Sequence, residues 1–512
     1  MPGPAAAIRA LHYLCVMLPV GVFAFRLLLL PPLPRIEPTE RALRQRLDQG
    51  LSRLLLSVLA VALASGALWL ATEASSMSGT PWLQAWSPSL LKTVLSQTQF
   101  GKVWLLRLAL LVLLALGQFL RSRFAPQGRR TLDAVGAVLA GMLVGAIAWA
   151  GHAAAGEPAV RPLQLAADFV HLLAASLWLG CLLPLALLLL ASRRPRGAAW
   201  QPLARRAVLR FGDLGLVSVG LLAVTGLANA WILVGGVGGL FGTAYGHLLL
   251  AKLAVFALML ALAAQNRLLF TPAVAAPQAI RVDALGGLGQ NAMLEFLFGA
   301  VLLLIVGQLG ATAPAVHSQP VWPFPYRVSL AAMEDEDFPL ALFQGLCTLA
   351  LLATAALALL CWRWRWRRRR LWLGAAGGAA ALSMAGLAGL LILPAYPTSY
   401  IQPGVRYGAE SIARGGPIYA ANCALCHGPD GYGDGPAAAS LPVRPANLTA
   451  GHLLHHAPGD LFWWISQGIA GTPMPGFAEQ LSPDQRWDVL NFLRARADAD
   501  RARALTASIE PW

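Results

Sequence analysis

Ten stretches of this 512-residue chain are apolar over close to the length that a helix needs to cross a bilayer. They fall at residues 8–30, 54–73, 103–120, 132–155, 164–192, 213–235, 247–266, 291–313, 341–361 and 371–395. A hydrocarbon core about 30 Å thick takes about 20 such residues as a helix. Only helices and closed barrels satisfy their own backbone groups there. The composition agrees, at 57% hydrophobic and 12% charged, against about 45–50% and 25% in soluble domains. The chain is therefore expected to be all-α, a polytopic bundle of about ten spans with a small helical domain after it. The third span is short, and the fifth is long enough to tilt or extend beyond the lipid.

The net charge of +15 raises nucleic-acid binding only until the cations are located. Arginines gather after spans 1, 3, 5, 7 and 9: Arg35 to Arg53, Arg121 to Arg130, Arg193 to Arg210, Arg267 with Arg281, and Arg363 to Arg370. Under the positive-inside rule these alternate loops are cytoplasmic, which puts both termini outside. An acidic run, Glu334 to Asp337, falls in one of the opposite loops. A basic face towards anionic lipid accounts for the charge, so the partner is the lipid bilayer and no nucleic acid. The first 30 residues lack an A-x-A-like cleavage site and are interrupted by His12 and Arg26, so they read as a retained first helix.

Of six cysteines, Cys15, Cys181, Cys347 and Cys361 lie in or at the ends of separate spans, where a small buried thiol is the ordinary reading. Cys423 and Cys426 stand instead in Cys423-Ala424-Leu425-Cys426-His427, a C-x-x-C-H haem-attachment pattern. Two thiols one turn apart can form thioethers to both vinyl groups of one porphyrin, and the adjacent imidazole reaches the iron. A thioredoxin-like motif would need a βαβ context and a zinc ribbon a second Cys pair. Neither is present.

The surroundings resemble a small class I cytochrome c over about 100 residues. A short helix from Glu410 to Ala421 carries Gly415 and Tyr419, and a turn-rich loop, Gly428 to Pro436, follows the motif. Asp460 to Gly468 reads as a helix whose Phe462, Trp463 and Ile465 could pack a porphyrin edge. Met474 stands between Pro473 and Pro475, a rigid setting for a weak ligand. Ser482-Pro483-Asp484-Gln485 starts a last helix with a capping box, from which Trp487, Leu490 and Leu493 would pack on the first. The expected centre is one covalent haem c held by Cys423 and Cys426, with His427 and Met474 as axial ligands, a pairing that raises the reduction potential. His452, His455 and His456 are the competing ligands.

Polar groups inside apolar spans each need an account. His12, His152, His171 and His247 lie on four spans, and the expected topology puts them in one outer-leaflet layer, the first, second and fourth within roughly 10 Å of the outer surface at 1.5 Å per residue and His171 slightly deeper. Cys15 and Met17 could add soft ligands, and Asp168 is one turn above His171. Singly, each histidine is as readily a helix-contact residue. Together they permit a copper ion, or a haem b between two imidazoles.

Residues from about 132 to 314 resemble the copper resistance protein D family, with the likeness reaching back towards span 1. The matching stretches are Trp149 to Ala153, Asp168 to His171 running to Gly180, Thr225 to Asn229, Tyr245 to His247 with Lys252, Asn266-Arg267 and Glu295. Lys252 and Glu295 could pair with each other or with Arg267, and Lys252 could instead snorkel. The resemblance implies a bacterial inner-membrane protein handling copper, transporter rather than classical enzyme, with a periplasmic copper-binding partner. The expected organisation is a copper resistance D-like domain over 1–320, a periplasmic loop and two further helices over 321–400, and a periplasmic cytochrome domain over 401–512 with its own redox partner. Electrons could then change the oxidation state of copper. The alternative is a haem b or quinol-linked membrane protein feeding its haem c.

Overall fold

The computed structural model describes residues 3–30, 38–149, 161–193, 195–275, 282–334, 338–362, 369–450 and 456–507. His152, His452, His455, Asp335 to Asp337 and several loop arginines (Arg35, Arg194, Arg281, Arg363, Arg365, Arg367 and Arg368) lie outside the described residues. Contacts divide the chain into one unit of residues 1–240 with 244–318, and a second of 241–243 with 319–512.

In the first unit, α1 (Pro4–Ala24) continues through a π turn to Leu29. α2 (Pro38–Ser78) is followed by a short amphipathic α3 (Pro88–Gln97) that the span pattern does not reveal. Then come α4 (Gln99–Leu120), α5 (Pro126–Ala148), α6 (Arg161–Ser192) and α7 (Gln201–Val234). α8 (Val237–Gly242) leads to α9 (Ala244–Gln265), a π turn at Asn266–Phe270, α10 (Thr271–Ala275) and α11 (Val282–Leu309). Among the described residues, eight helices of this unit are long and apolar enough to cross a membrane, one for each of the first eight expected spans. Thr98 caps α4 by accepting from the Gly101 amide at 2.9 Å, and proline opens α1, α3 and α5 where no N–H is needed.

Without a hydrophobic force between helices in lipid, small residues that admit close approach decide the crossings. At the α1–α6 crossing a Cβ on Gly21 would stand 1.9 Å from the Gly180 carbonyl carbon. The Cys181 thiol donates to the Gly21 carbonyl at 3.3 Å beside it. Cys15 and Met17 are buried in the same core.

A second feature ties α1, α2, α4 and α5. Arg26, whose side chain has no exposed surface, donates to Asp133 at 3.1 Å and Gln118 at 3.0 Å. Arg121 grips Asp133 through two bonds of 2.8 Å and Asp48 through bonds of 2.6 and 3.1 Å. Arg44 stands 3.5 Å from Asp48. Three arginines thus share two carboxylates.

In the second unit, α12 (Leu340–Trp362) and α13 (Arg369–Leu390) correspond to the ninth and tenth spans; their described apolar stretches are shorter, Leu340–Ala356 and Ala375–Leu390. Leu346 lies against Gly386, whereas Gly377 and Gly378 face open space. The tenth helix stops at Leu390, short of the expected end of its span at residue 395. Ile392–Pro394 (β2) pairs antiparallel with Tyr326–Val328 (β1), a small exception to the all-α expectation. Pro394 lacks the N–H that would continue a helix, and the extended backbone finds its partners in β1 instead.

The rest of this unit is α14 (Ala409–Asn422), α15 (Ala424–His427), α16 (Pro458–Gln467) and α17 (Pro483–Ala507). The expected capping box forms: the Ser482 amide donates to Gln485 Oε1 at 2.8 Å, and the Gln485 amide to Ser482 Oγ at 3.2 Å. Trp487, Leu490 and Leu493 are buried with Tyr419 and Phe462. α14 and α17 touch at Gly415, where a Cβ would sit 2.1 Å from the Asp488 carbonyl oxygen. Arg327 of β1 donates to the buried Asp460 of α16 at 2.7 Å, and Ser399 donates to the same carboxylate. Asp488 accepts from Ser411 at 2.6 Å and from Arg414 through two bonds of 2.9 Å. Burial alone would raise this carboxyl, but those bonds hold it below the ordinary range. A depressed folded pKa gives stability that is complete above about pH 4 and lost as pH falls towards the folded value. Acid melts of the full chain, followed by haem-region absorbance, should show that loss, and Asp488→Asn should flatten it.

Candidate haem and membrane sites

α15 carries Cys426 and His427, and Cys423 stands immediately before it as the cap of α14. The His427 amide donates to the Cys423 carbonyl at 2.9 Å, closing one turn that puts Cys423 and Cys426 on neighbouring positions. His427 Nδ1 lies 3.0 Å from the Ala446 carbonyl. Nδ1 therefore carries the proton, which leaves the Nε2 lone pair for a metal, the usual outer-shell arrangement of a ligating histidine. Burial lowers the His427 pKa, favouring the neutral imidazole, and pushes the Cys423 thiol up to about 11. The turn-rich loop returns over the motif, with Gly433 donating to the His427 carbonyl at 2.9 Å and Gly435 to the Cys426 carbonyl at 3.1 Å. Tyr419 Oη donates to the Gly428 carbonyl at 2.7 Å.

Met474 and Cys423 both pack, half-buried, against the core of Tyr419, Phe462, Ile465 and Trp487. The Met474 carbonyl accepts from Ile469 at 3.3 Å and its amide donates to Thr472 Oγ1 at 3.3 Å, fixing the loop between the two prolines. Phe462 stacks on Trp487 at 4.5 Å, whereas Trp463 turns to stack on Tyr396 at 5.8 Å. His456, the described member of the competing trio, lies edge-on to Trp464 at 4.9 Å. Cys423 and Met474 against one apolar core, with Cys426 and His427 on the same turn as Cys423, are the donor types that a covalent haem takes.

The membrane histidines have separate environments. His12 is buried, its Nδ1 3.1 Å from both the Ala62 carbonyl and Ser65 Oγ, and its Nε2 bonded to Arg107. Both ring nitrogens are thus engaged by protein groups. Arg107 lies over the Trp69 ring at 4.5 Å, and Trp69 Nε1 donates to Glu73 at 2.9 Å. His171 meets Thr225 Oγ1 at 2.9 Å. Asn229 donates to Asp168 at 2.6 Å, and Lys252 is close enough for its charge to act on both Asp168 and His171. Among the described residues no three His, Cys, Asp or Glu side chains come together as a metal-holding group. His12, His171 and His247 therefore form no such group among themselves, and His152, the fourth expected histidine, lies outside the described residues.

This chain is 30% identical over 268 residues to Copper resistance protein D of Pseudomonas syringae pv. tomato, covering 52% of this chain and 82% of that one. The chain belongs to the copper resistance protein D family. The family's N-terminal domain matches residues 3–161 and its copper resistance protein D domain residues 205–309. Cytochrome c matches residues 412–497. Copper transport protein CutJ of Bacillus subtilis (strain 168) is 32% identical over 273 residues, covering 52% of this chain; the chain spans about half, 47%, of its length. Inner membrane protein YebZ of Escherichia coli (strain K12) is 28% identical over 314 residues, covering 60% of this chain and 97% of that one.

Within this copper resistance D unit the fold supplies partners that the residue pattern does not reveal. Arg107 is legible as a charge inside the third span, but nothing in the sequence ties it to His12. Asn229 and Thr225 stand in one of the family-like stretches, yet their pairing with Asp168 and His171 needs α6 beside α7. Lys252 and Glu295 do not pair. Glu295 is buried and accepts from Asn266 Nδ2 at 2.8 Å, while Asn291 donates to Asn266 Oδ1 at 2.9 Å. Arg267 donates to the Gly212 carbonyl at 3.0 Å.

Proposed function

We propose that this protein handles copper at the bacterial inner membrane and exchanges electrons through a haem c on the periplasmic side. The observation that carries the reading is the joining, in one chain, of a copper resistance D membrane unit with a cytochrome c domain. Cys423 and Cys426 would hold the haem covalently, with His427 and Met474 as axial ligands. Such a group supplies one-electron transfer. His427 is oriented by the Ala446 carbonyl and kept neutral by burial, and the Phe462–Trp487 stack belongs to the apolar core against which Cys423 and Met474 pack.

His171 and Asp168 are assigned first as copper contacts, with His152 and His247 as further contacts rather than members of one assembled site, since no three such side chains meet among the described residues. The engaged nitrogens of His12 make it the weaker candidate, and Cys15 and Met17 are soft groups in its neighbourhood of α1. Imidazole and carboxylate suit Cu(II), and a gained electron converts it to the softer Cu(I). A periplasmic copper-binding protein and a periplasmic redox partner are the implied associates.

The test is a purified, detergent-solubilised full chain, assayed for copper and by reduced-minus-oxidised and pyridine haemochrome spectra. Equimolar c-type haem, no b-type haem, and copper lost in His152→Ala/His171→Ala are expected. A b-type signal that vanishes in that variant would replace this reading with a quinol-linked redox protein.

A further inference from the structure

We propose that the α4–α5 pair holds one anionic glycerophospholipid, its acyl chain in a groove between the helices and its phosphate on the arginines of their connection. The groove has a volume of about 230 Å³. Its walls are Leu113, Leu116 and Leu120 from α4 and Leu132, Val135 and Leu139 from α5. Leu113 is 48% exposed and Leu116 and Val135 each 50%, so the flank is open. At one end the lining turns polar, with Gln118, Arg121 and Asp133.

Apart from Asp133 and Asp48, which Arg26 and Arg121 already hold, the charge at that end is cationic. Residues 121–130, the connection and the start of α5, carry Arg121, Arg123, Arg129 and Arg130 and no acidic residue. Arg121 is already neutralised by Asp48 and Asp133, and that lock fixes where the connection starts. Arg123 and Arg130 are exposed. Arg123 lies 5.6 Å over the ring of Phe119, itself 62% exposed, in the last turn of α4. Arg129 donates to the Phe124 and Ser122 carbonyls, at 2.8 and 3.3 Å, holding the turn in shape. An apolar channel ending under such a cationic rim matches an acyl chain joined to a phosphate. A soluble anion would gain nothing from the leucine walls. A zwitterionic headgroup would bring its own cation to the arginines, whereas an anionic one brings net negative charge.

Gly117 lines the groove, and a Cβ there meets nothing within 4 Å. Gly117→Leu therefore fills the space without moving backbone, and R123Q/R129Q/R130Q removes the rim charge. The full chain is delipidated, titrated with phosphatidylglycerol or phosphatidylcholine in detergent, and bound lipid is counted by native mass spectrometry. The wild type should prefer phosphatidylglycerol by about tenfold. The arginine variant should lose the preference and Gly117→Leu should lose the bound lipid. Equal retention of the two lipids by the wild type overturns the proposal, as does wild-type binding by both variants. Elution volume reports whether each variant is folded, and the wild-type comparison decides alone if one is not.

Discussion

Asp133→Ala is expected to destabilise the membrane unit by about 3–5 kcal/mol, the cost of leaving a buried ion pair half empty. Asp133 neutralises Arg26 and Arg121 together, at 3.1 and 2.8 Å, and is nearly inaccessible itself. Without it, three guanidinium groups would share Asp48, which already serves Arg121 and stands near Arg44 and Arg26. Arg26 cannot reach water by rotating, because its side chain is fully enclosed. The measurement is the melting temperature of the full chain in detergent, read by a maleimide dye reacting with Cys15 and Cys181, which are buried and free. R26M/D133L should recover much of the loss, since an apolar pair of similar volume replaces a buried ion pair at little cost. An unchanged melting temperature for Asp133→Ala would show that the network contributes nothing to holding α1, α4 and α5 together.

Met474→Ala should abolish the sulfur-to-iron charge-transfer band and lower the haem reduction potential by on the order of 0.1 V, within the roughly 0.8 V that axial ligation spans. The thioether stabilises reduced iron relative to stronger donors. Covalent attachment should survive, because Cys423 and Cys426 are held by the end of α14 and by α15 and need nothing from the Met474 loop. Spectra and a potentiometric titration of the same preparation check both parts. A band and potential equal to wild type would remove Met474 as ligand and bring the His452, His455 and His456 segment forward.

Much of this architecture is legible in the residue pattern. A run of about 20 apolar residues has few alternatives to a spanning helix, and the first eight expected spans each have their helix. The attachment motif and the capping box are readable because their chemistry lies within a few adjacent residues. The capping box forms as spacing predicts. Strand β2 is hidden because Ile392 and Leu393 continue an apolar run, and only pairing with the distant Arg327 and Val328 makes them a strand.

The partners of the buried polar residues belong to the packed bundle alone. α9 is apolar nearly all round, so its sequence has no polar face to say where Lys252 points. Glu295 is therefore a reasonable partner for Lys252 on the sequence, whereas the bundle sets Lys252 near Asp168 and gives Glu295 to Asn266. His12 is similar: its depth follows from counting residues, but its bond to Arg107 depends on how α1, α2 and α4 are rotated. Residue order alone settles the spans, the haem motif and the helices around that motif. Which charges meet is left to packing, because in a uniformly apolar helix rotation is set by the neighbours and not by the chain itself.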